Sequence, residues 1–239
     1  QRIEPRRTMR FLITAGPTRE PIDPVRYLSN RSSGKMGYAL AVAALARGHE
    51  VTLVSGPVAI PAPEGTKLVR VETAREMHDA VAGEIGEADA AIFCAAVADY
   101  RVAEIAGEKI KKTGETLTLT LVRNPDILGS ARSAFGFRGI LVGFAAETED
   151  LERHALDKLR RKGCDLLVAN DVSRTDIAFD CDENEVAVFF RDGRHMALPR
   201  APKGEIASAI VREVEKCASA VAGLSEAGSD VETTLDRGQ

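Results

Sequence analysis

Several short stretches carry residue types suited to handling a phosphorylated ligand. In Lys109-Ile110-Lys111-Lys112, three lysines occupy four positions. On a loop, such a run brings positive charge to a triphosphate or to charge growing at phosphorus, although lining a solvated face is its ordinary use. Ser29-Asn30-Arg31-Ser32-Ser33-Gly34-Lys35-Met36-Gly37 offers small residues that let a backbone approach a ligand closely. It leads into a helix whose first N–H groups favour anionic oxygens. It is not a Walker A loop, because Met36 follows Lys35 where Ser or Thr is required, and no G-x-G-x-x-G is present.

Other candidates stand where strands are expected to end. Gly16 closes the first, and Ala95, Ala96 and Asp99 follow a later one. A carboxylate such as Asp99 there binds a ribose hydroxyl or a metal–phosphate group, or serves a turn. Asn124-Pro125-Asp126-Ile127 would present backbone groups to a base or ribose, or simply start a helix. Phe144 would pack on a ligand or in the core. Lys158 and Lys162, four apart, share a helix face and repel one another unless an anion lies between them. Each feature has an ordinary structural use. Together they imply a polyanionic ligand without naming a reaction.

The elements that must position these groups alternate strand and helix. Phe11–Ala15 reads as a buried strand, Thr18–Ser33 as a polar loop, and Gly34–Arg47 as a helix stopped by Gly48. Strands follow at Val51–Ser55, Lys67–Val71 and Ala90–Ala95, with a helix from the Thr73 cap to Ile85 whose Glu76 completes a capping box. After Asp99 come a charged loop, Tyr100–Glu115, and an alternating strand, Thr116–Val122. A helix then starts at Pro125 with Asn124 as its cap. Gly139–Ala145 and Leu166–Ala169 read as strands around a helix, Asp150–Lys162, closed by Gly163. Asp192-Gly193 turns a hairpin between Glu185–Phe190 and Arg194–Leu198, before a last helix over Lys203–Cys217. This order predicts an α/β fold: a Rossmann-like three-layer α/β/α sandwich with a mainly parallel sheet and a C-terminal β-hairpin. Residues 1–8, with Arg2, Arg6 and Arg7, read as a flexible segment, 9–217 as one domain, and 218–239 as a tail without periodicity.

Apolar residues make up 44% of the 239 and charged residues 28%, enough for a sizeable core. A net charge of −4 gives no nucleic-acid footprint. No apolar run approaches the ~20 residues of a membrane span. The scattered Cys94, Cys164, Cys181 and Cys217 suit reduced thiols in the cytoplasm and lack the spacing of a zinc knuckle.

The segment ITAGPTREPIDPVRYLSNRSSGKMG, from Ile13 to Gly37, strongly resembles the opening of the phosphopantothenate–cysteine ligases. Ala95–Tyr100, Lys109–Lys112, Asn124–Ile127, Val142–Thr148 and Ala169–Val172 are similar to that family's later motifs, in the same order. The resemblance implies that 4′-phosphopantothenate and L-cysteine are joined at the expense of CTP with Mg²⁺, through an acyl-cytidylate. It also implies a homodimer and a flavin-dependent decarboxylase, separate or fused. Asn30 and Lys109 correspond to catalytic positions. Gly16, Ser33, Gly34, Met36, Ala95, Ala96, Asp99, Lys109, Asn124, Pro125, Asp126, Ile127, Phe144, Lys158 and Lys162 correspond to nucleotide contacts, and no metal ligand is assigned. An NAD(P)-binding oxidoreductase would need the glycine fingerprint and an acid closing the second strand, which instead ends Val54-Ser55-Gly56. A non-catalytic nucleotide-binding regulator would be expected to lack Asn30 or Lys109.

Overall fold

The computed structural model describes residues 7–112, 114–147, 150–171 and 181–232. Its spine is an eight-stranded sheet. Six strands are parallel: β1 (Arg10–Ala15), β4 (Glu50–Ser55), β5 (Thr66–Arg70), β6 (Ala90–Phe93), β9 (Ile140–Glu147) and β10 (Leu166–Asp171). The antiparallel hairpin β11 (Glu183–Phe190) and β12 (His195–Pro202) extends one edge. The spatial order is β12-β11-β10-β9-β6-β1-β4-β5. From β1 the chain first builds outward through β4 and β5, then returns to place β6 on the other side of β1. The crevice between β1 and β6 is therefore the topological switch point, where open α/β sheets bind ligands.

Alternate side chains of β1 explain the two covering layers. Phe11, Ile13 and Ala15 enter one core with α1 (Lys35–Ala46) and α5 (Lys203–Glu232). Leu12 enters the other, with α2 (Ala74–Glu84), α3 (Ile127–Ser133) and α4 (Leu151–Lys162). Glycines set the spacing on the first face. A Cβ on Gly37 would lie 2.5 Å from the Ala15 Cβ, so this glycine lets α1 sit directly on β1. The Thr73–Glu76 capping box is present, and Gly163 closes α4 in the left-handed conformation.

Several expectations are corrected. The stretch Thr18–Ser33 is not all loop: β2 (Arg19–Asp23) and β3 (Arg26–Ser29) form a hairpin. Its β3 is largely exposed, so no hydrophobic alternation marks it. The Asp23 carboxylate sets the turn by accepting from the Val25 and Arg26 N–H groups at 3.0 and 2.9 Å. The charged stretch after Asp99 opens with β7 (Tyr100–Val102), which pairs with β8 (Leu121–Arg123). The predicted strand over Thr116–Val122 shrinks to β8 because its alternation faces no core, as the exposed Leu117 shows. Asp126, not Asn124, caps α3 and accepts from Gly129 N–H at 2.9 Å. Pro125 therefore precedes the cap. Helix α5 continues past Cys217 to Glu232; Ala218 and Ala220 carry it beyond the expected end at little cost, since the helix is already nucleated on the core.

Candidate active site

A cavity of about 590 Å³ opens at the carboxyl ends of the central strands. Among the expected site residues, Asn30, Ser33, Gly34, Met36, Ala95, Ala96, Asp99, Phe144 and Lys158 line it. They arrive from separate elements. Asn30–Ser33 link β3 to α1, Ala95 and Ala96 follow β6, Phe144 is on β9, and Lys158 is on α4. A groove of about 610 Å³ between β12 and α5 is larger, but its lining of Leu, Pro, Ala and Ile brings only Glu205 and Arg212 as charged groups.

Close backbone approach builds the floor. Gly34, the N-cap of α1, has φ 80°, and a Cβ there would lie 2.6 Å from Val58 Cγ1 and 3.3 Å from Gly16 Cα. Gly16, with φ 74°, thus sits immediately behind the cradle rather than lining it. Glycine offers no side-chain acceptor to the first turn of α1, so the N–H groups there suit an anionic oxygen from a ligand.

The Ala96 carbonyl stitches the two sides of the crevice together. It accepts from Thr18 N–H at 3.2 Å and from Asn30 Nδ2 at 2.9 Å. One N–H of the Asn30 carboxamide is thereby fixed, and a carboxamide carries a second donor. Thr14 Oγ1 accepts from Ala95 N–H and Thr18 Oγ1 from Ala98 N–H, which holds the segment after β6 against β1. Lys158 donates to the Phe144 carbonyl at 2.9 Å.

The remaining expected residues lie around this core. Asn124 donates from Nδ2 to the Ala98 carbonyl at 2.8 Å and from its backbone to Asp99, so it buttresses the Asp99 turn. Asp126 pairs with Lys162, which gives that lysine a protein counter-charge. Burial pushes the Asp126 carboxyl up, but the Lys162 ammonium and Gly129 N–H outweigh it, and the carboxyl falls below its ordinary range. The Ile127 side chain is buried in the second core, and Pro125 lies between Asn124 and the cap. None of these five lines the cavity.

Lys109 does not line it either. The lysine loop is tied instead to the β2–β3 turn. Ile110 N–H donates to Asp23 Oδ2 at 3.1 Å, and Arg26 donates to the Ile110 carbonyl at 3.0 Å. Hydrogen bonding to Arg26 holds the Asp23 carboxyl well below the usual carboxylate range. Within one chain, then, Asn30 and Lys109 occupy different places. Val172 and Thr148, which end two of the motifs, lie outside the described residues.

The cavity also gathers residues that sequence reasoning left without a role. Lys35 donates to Asp182 at 2.7 Å and lowers that carboxyl. Lys203, only 8% exposed, donates from Nζ to the Cys181 carbonyl and from its backbone to Asp182. Burial, then the nearby Lys35 charge, push the Lys203 ammonium below the ordinary lysine range. Asn170 and Asn184 add carboxamides. Asn170 stands in a motif that sequence already singled out, whereas Asn184 and Lys203 carry no local signal, because only the fold brings the β11 start and the α5 start here. Burial around Cys94 pushes its thiol up to about 12, so it is protonated at neutral pH and a poor nucleophile. Among the described residues, no group of three or more His, Cys, Asp or Glu could hold a metal ion, and no helix is long and apolar enough to cross a membrane.

An open sheet with a switch-point cavity lined by helix-start amides, lysines and carboxamides defines a doubly wound α/β protein suited to a phosphorylated ligand. The chain belongs to the family of the DNA/pantothenate metabolism flavoprotein C-terminal domain, whose model matches residues 7–218. It is 49% identical over 207 residues to the coenzyme A biosynthesis bifunctional protein CoaBC of Vibrio vulnificus, covering 86% of this chain and 51% of that one. It is 48% identical over 209 residues to the Escherichia coli protein of the same name, again covering 86% and 51%. The chain thus spans about half the length of these relatives. A crystal structure of the C-terminal domain of a coenzyme A biosynthesis bifunctional protein CoaBC superimposes with a TM-score of 0.75 at 41% identity, covering 87% of this chain and 95% of that one.

Proposed function

We propose that this chain is a phosphopantothenate–cysteine ligase of coenzyme A biosynthesis, working in the cytoplasm, with residues 9–217 as the ligase domain. The observation that carries the reading is the convergence of the α1 cradle, Asn30, Asp99 and Lys158 on one switch-point cavity. The 41%-identical CoaBC domain, of which this chain covers 95%, supports it.

In the first half-reaction, a carboxylate oxygen of 4′-phosphopantothenate attacks the α-phosphorus of CTP. A P–O bond forms, pyrophosphate leaves, and the acyl-cytidylate results. In the second, the cysteine amine attacks the acyl carbon, CMP leaves, and the amine loses a proton as the amide forms. The α1 amides bind phosphate oxygens, and Lys109 offsets charge growing at phosphorus. Asn30, oriented by its bond to Ala96, donates to the oxyanion formed as cysteine attacks. One preorganised donor of this kind lowers a barrier by about 3–4 kcal/mol. Mg²⁺ fits as an ion that keeps most of its waters and takes one protein carboxylate plus ligand phosphates. Asp99, the carboxylate in the lining, would hold it, and the ion would supply charge neutralisation.

Lys109 acts best in a homodimer, in which the lysine loop of one subunit serves the cavity of the other. The exposed Val25, Tyr27, Tyr100 and Ile105 around the hairpin and that loop supply an apolar surface for such pairing. The test supplies phosphopantothenate, cysteine and Mg²⁺ with CTP, ATP, GTP or UTP in turn, and follows pyrophosphate together with the amide product. CTP is expected to be preferred. Absence of product with every nucleotide would refute the reading.

A further inference from the structure

Helices α1 and α5 pack side by side and begin at the same cavity, with Lys35 and Lys203 as their first residues. They also end their contact in step. Arg47, the C-cap of α1, forms a two-pronged pair with Glu215 of α5 at 2.8 and 2.5 Å, and His49 joins the same carboxylate at 2.8 Å. The same stretch of helix separates Lys35 from Arg47 and Lys203 from Glu215, so the helices run parallel. The positive ends of two helix dipoles therefore lie together at the cavity, while the negative end of α1 at Arg47 meets α5 partway along its length. There the Arg47 and His49 side chains are taken up by the Glu215 carboxylate. At the positive ends the protein places two lysines, which would ordinarily be disfavoured there.

Asp182 meets this charge from an exposed position. Its carboxylate pairs with Lys35, yet the side chain is 89% exposed and Lys35 is 37% exposed. Lys203 is far more enclosed and is held through carbonyl groups of residues 181 and 182. The Asn184 carboxamide also lines the cavity.

We propose that Lys203, with Lys35, forms a phosphate subsite at the shared start of α1 and α5, and that Asp182 is an internal stand-in which a ligand phosphate displaces from Lys35. The proposal rests on the ligase reading for its ligand, which brings phosphate from two sources: the triphosphate of the nucleotide and the 4′-phosphate of the acid.

The test is calorimetric binding of inorganic tripolyphosphate to the full chain, which needs no turnover. Lys203→Met is expected to weaken binding about 10- to 100-fold, the range of one lost charge-assisted hydrogen bond. Lys203→Arg should stay within about threefold of the parent, since it retains the charge. Asp182→Asn should tighten binding severalfold by removing the internal competitor, an effect opposite in sign to any loss of structure. Should Lys203→Met fail to fold, Lys35→Gln and Asp182→Asn decide the matter, because both positions are solvent-accessible. In turnover, a rise in KM for CTP alone assigns the subsite to the triphosphate, and a rise for phosphopantothenate alone assigns it to the 4′-phosphate. Unchanged tripolyphosphate affinity in Lys203→Met and Asp182→Asn overturns the proposal even if the ligase assay succeeds. Altered affinity in a protein without ligase activity upholds the subsite and rejects the ligase reading.

Discussion

Gly34→Ala separates two costs that the cradle imposes. Gly34 has φ 80°, and an alanine in this left-handed region costs about 1–2 kcal/mol. The new methyl would also lie 2.6 Å from Val58 Cγ1 and 3.3 Å from Gly16 Cα. Overpacking of this kind adds about 1–3 kcal/mol. The variant is therefore expected to lose roughly 2–5 kcal/mol if it keeps the parent geometry, a large share of a typical domain's stability. If α1 instead shifts to relieve the contact, stability recovers but the first-turn N–H groups move, and KM for the nucleotide rises. Urea denaturation and steady-state kinetics on the same preparation follow both routes. Val58→Ala supplies the control. In the double variant the clash with Val58 disappears while the backbone cost stays, so a double-mutant cycle should show about 1–2 kcal/mol of favourable coupling. A Gly34→Ala protein with parental stability and parental nucleotide KM would refute the claim that close packing at this glycine builds the site.

Asn30→Asp should form the acyl-cytidylate and release pyrophosphate, then stall, because a negative charge would face the developing oxyanion; quenched-flow analysis should show the intermediate accumulating, and normal amide turnover would exclude the role. Asp23→Asn should loosen the lysine loop, because Ile110 N–H and Arg26 both bind that carboxylate; amide hydrogen exchange should quicken at Ile110 while the central strands keep their protection. Glu215 carries the pH dependence of the α1–α5 clamp. Burial raises its carboxyl, but Arg47 and His49 outweigh burial, and the folded pKa lies below the ordinary value. The clamp's contribution is therefore present above the unfolded carboxylate pKa and lost as pH falls through the folded one. Glu215→Gln should lower Tm at neutral pH and flatten its acid-side decline, and parallel Tm-against-pH curves for the two proteins would argue against the clamp.

The parallel sheet was legible because its buried strands are apolar runs bounded by glycine or aspartate and alternating with helical periods. Phe11–Ala15 and Ala90–Ala95 are clear cases. The Thr73 cap and the Gly163 stop were legible because each uses local chemistry. The β2–β3 hairpin was not, since β3 is exposed and its turn depends on hydrogen bonds to the Asp23 carboxylate rather than on a glycine pair. The α3 cap was misplaced for a related reason: Asn124 and Asp126 are both good caps, and the choice depends on Asn124 being engaged by Ala98 across the crevice. At the site, residues near the switch point were readable as a cradle because the chain runs through them consecutively. Lys203 and Asn184 reach the cavity only through the order of strands and the packing of α5 on α1, which no local pattern encodes.

The parallel alignment of α1 and α5 carries a thermodynamic consequence. Two helices oriented alike repel at their shared N-terminal start, and the Arg47–Glu215 pair holds α5 to the far end of α1. On the subsite proposed above, a phosphate-bearing molecule would offset positive charge gathered at that start. On that proposal, a ligand that docks there also fastens the C-terminal helix to the rest of the fold, and its affinity should reappear as added resistance to melting.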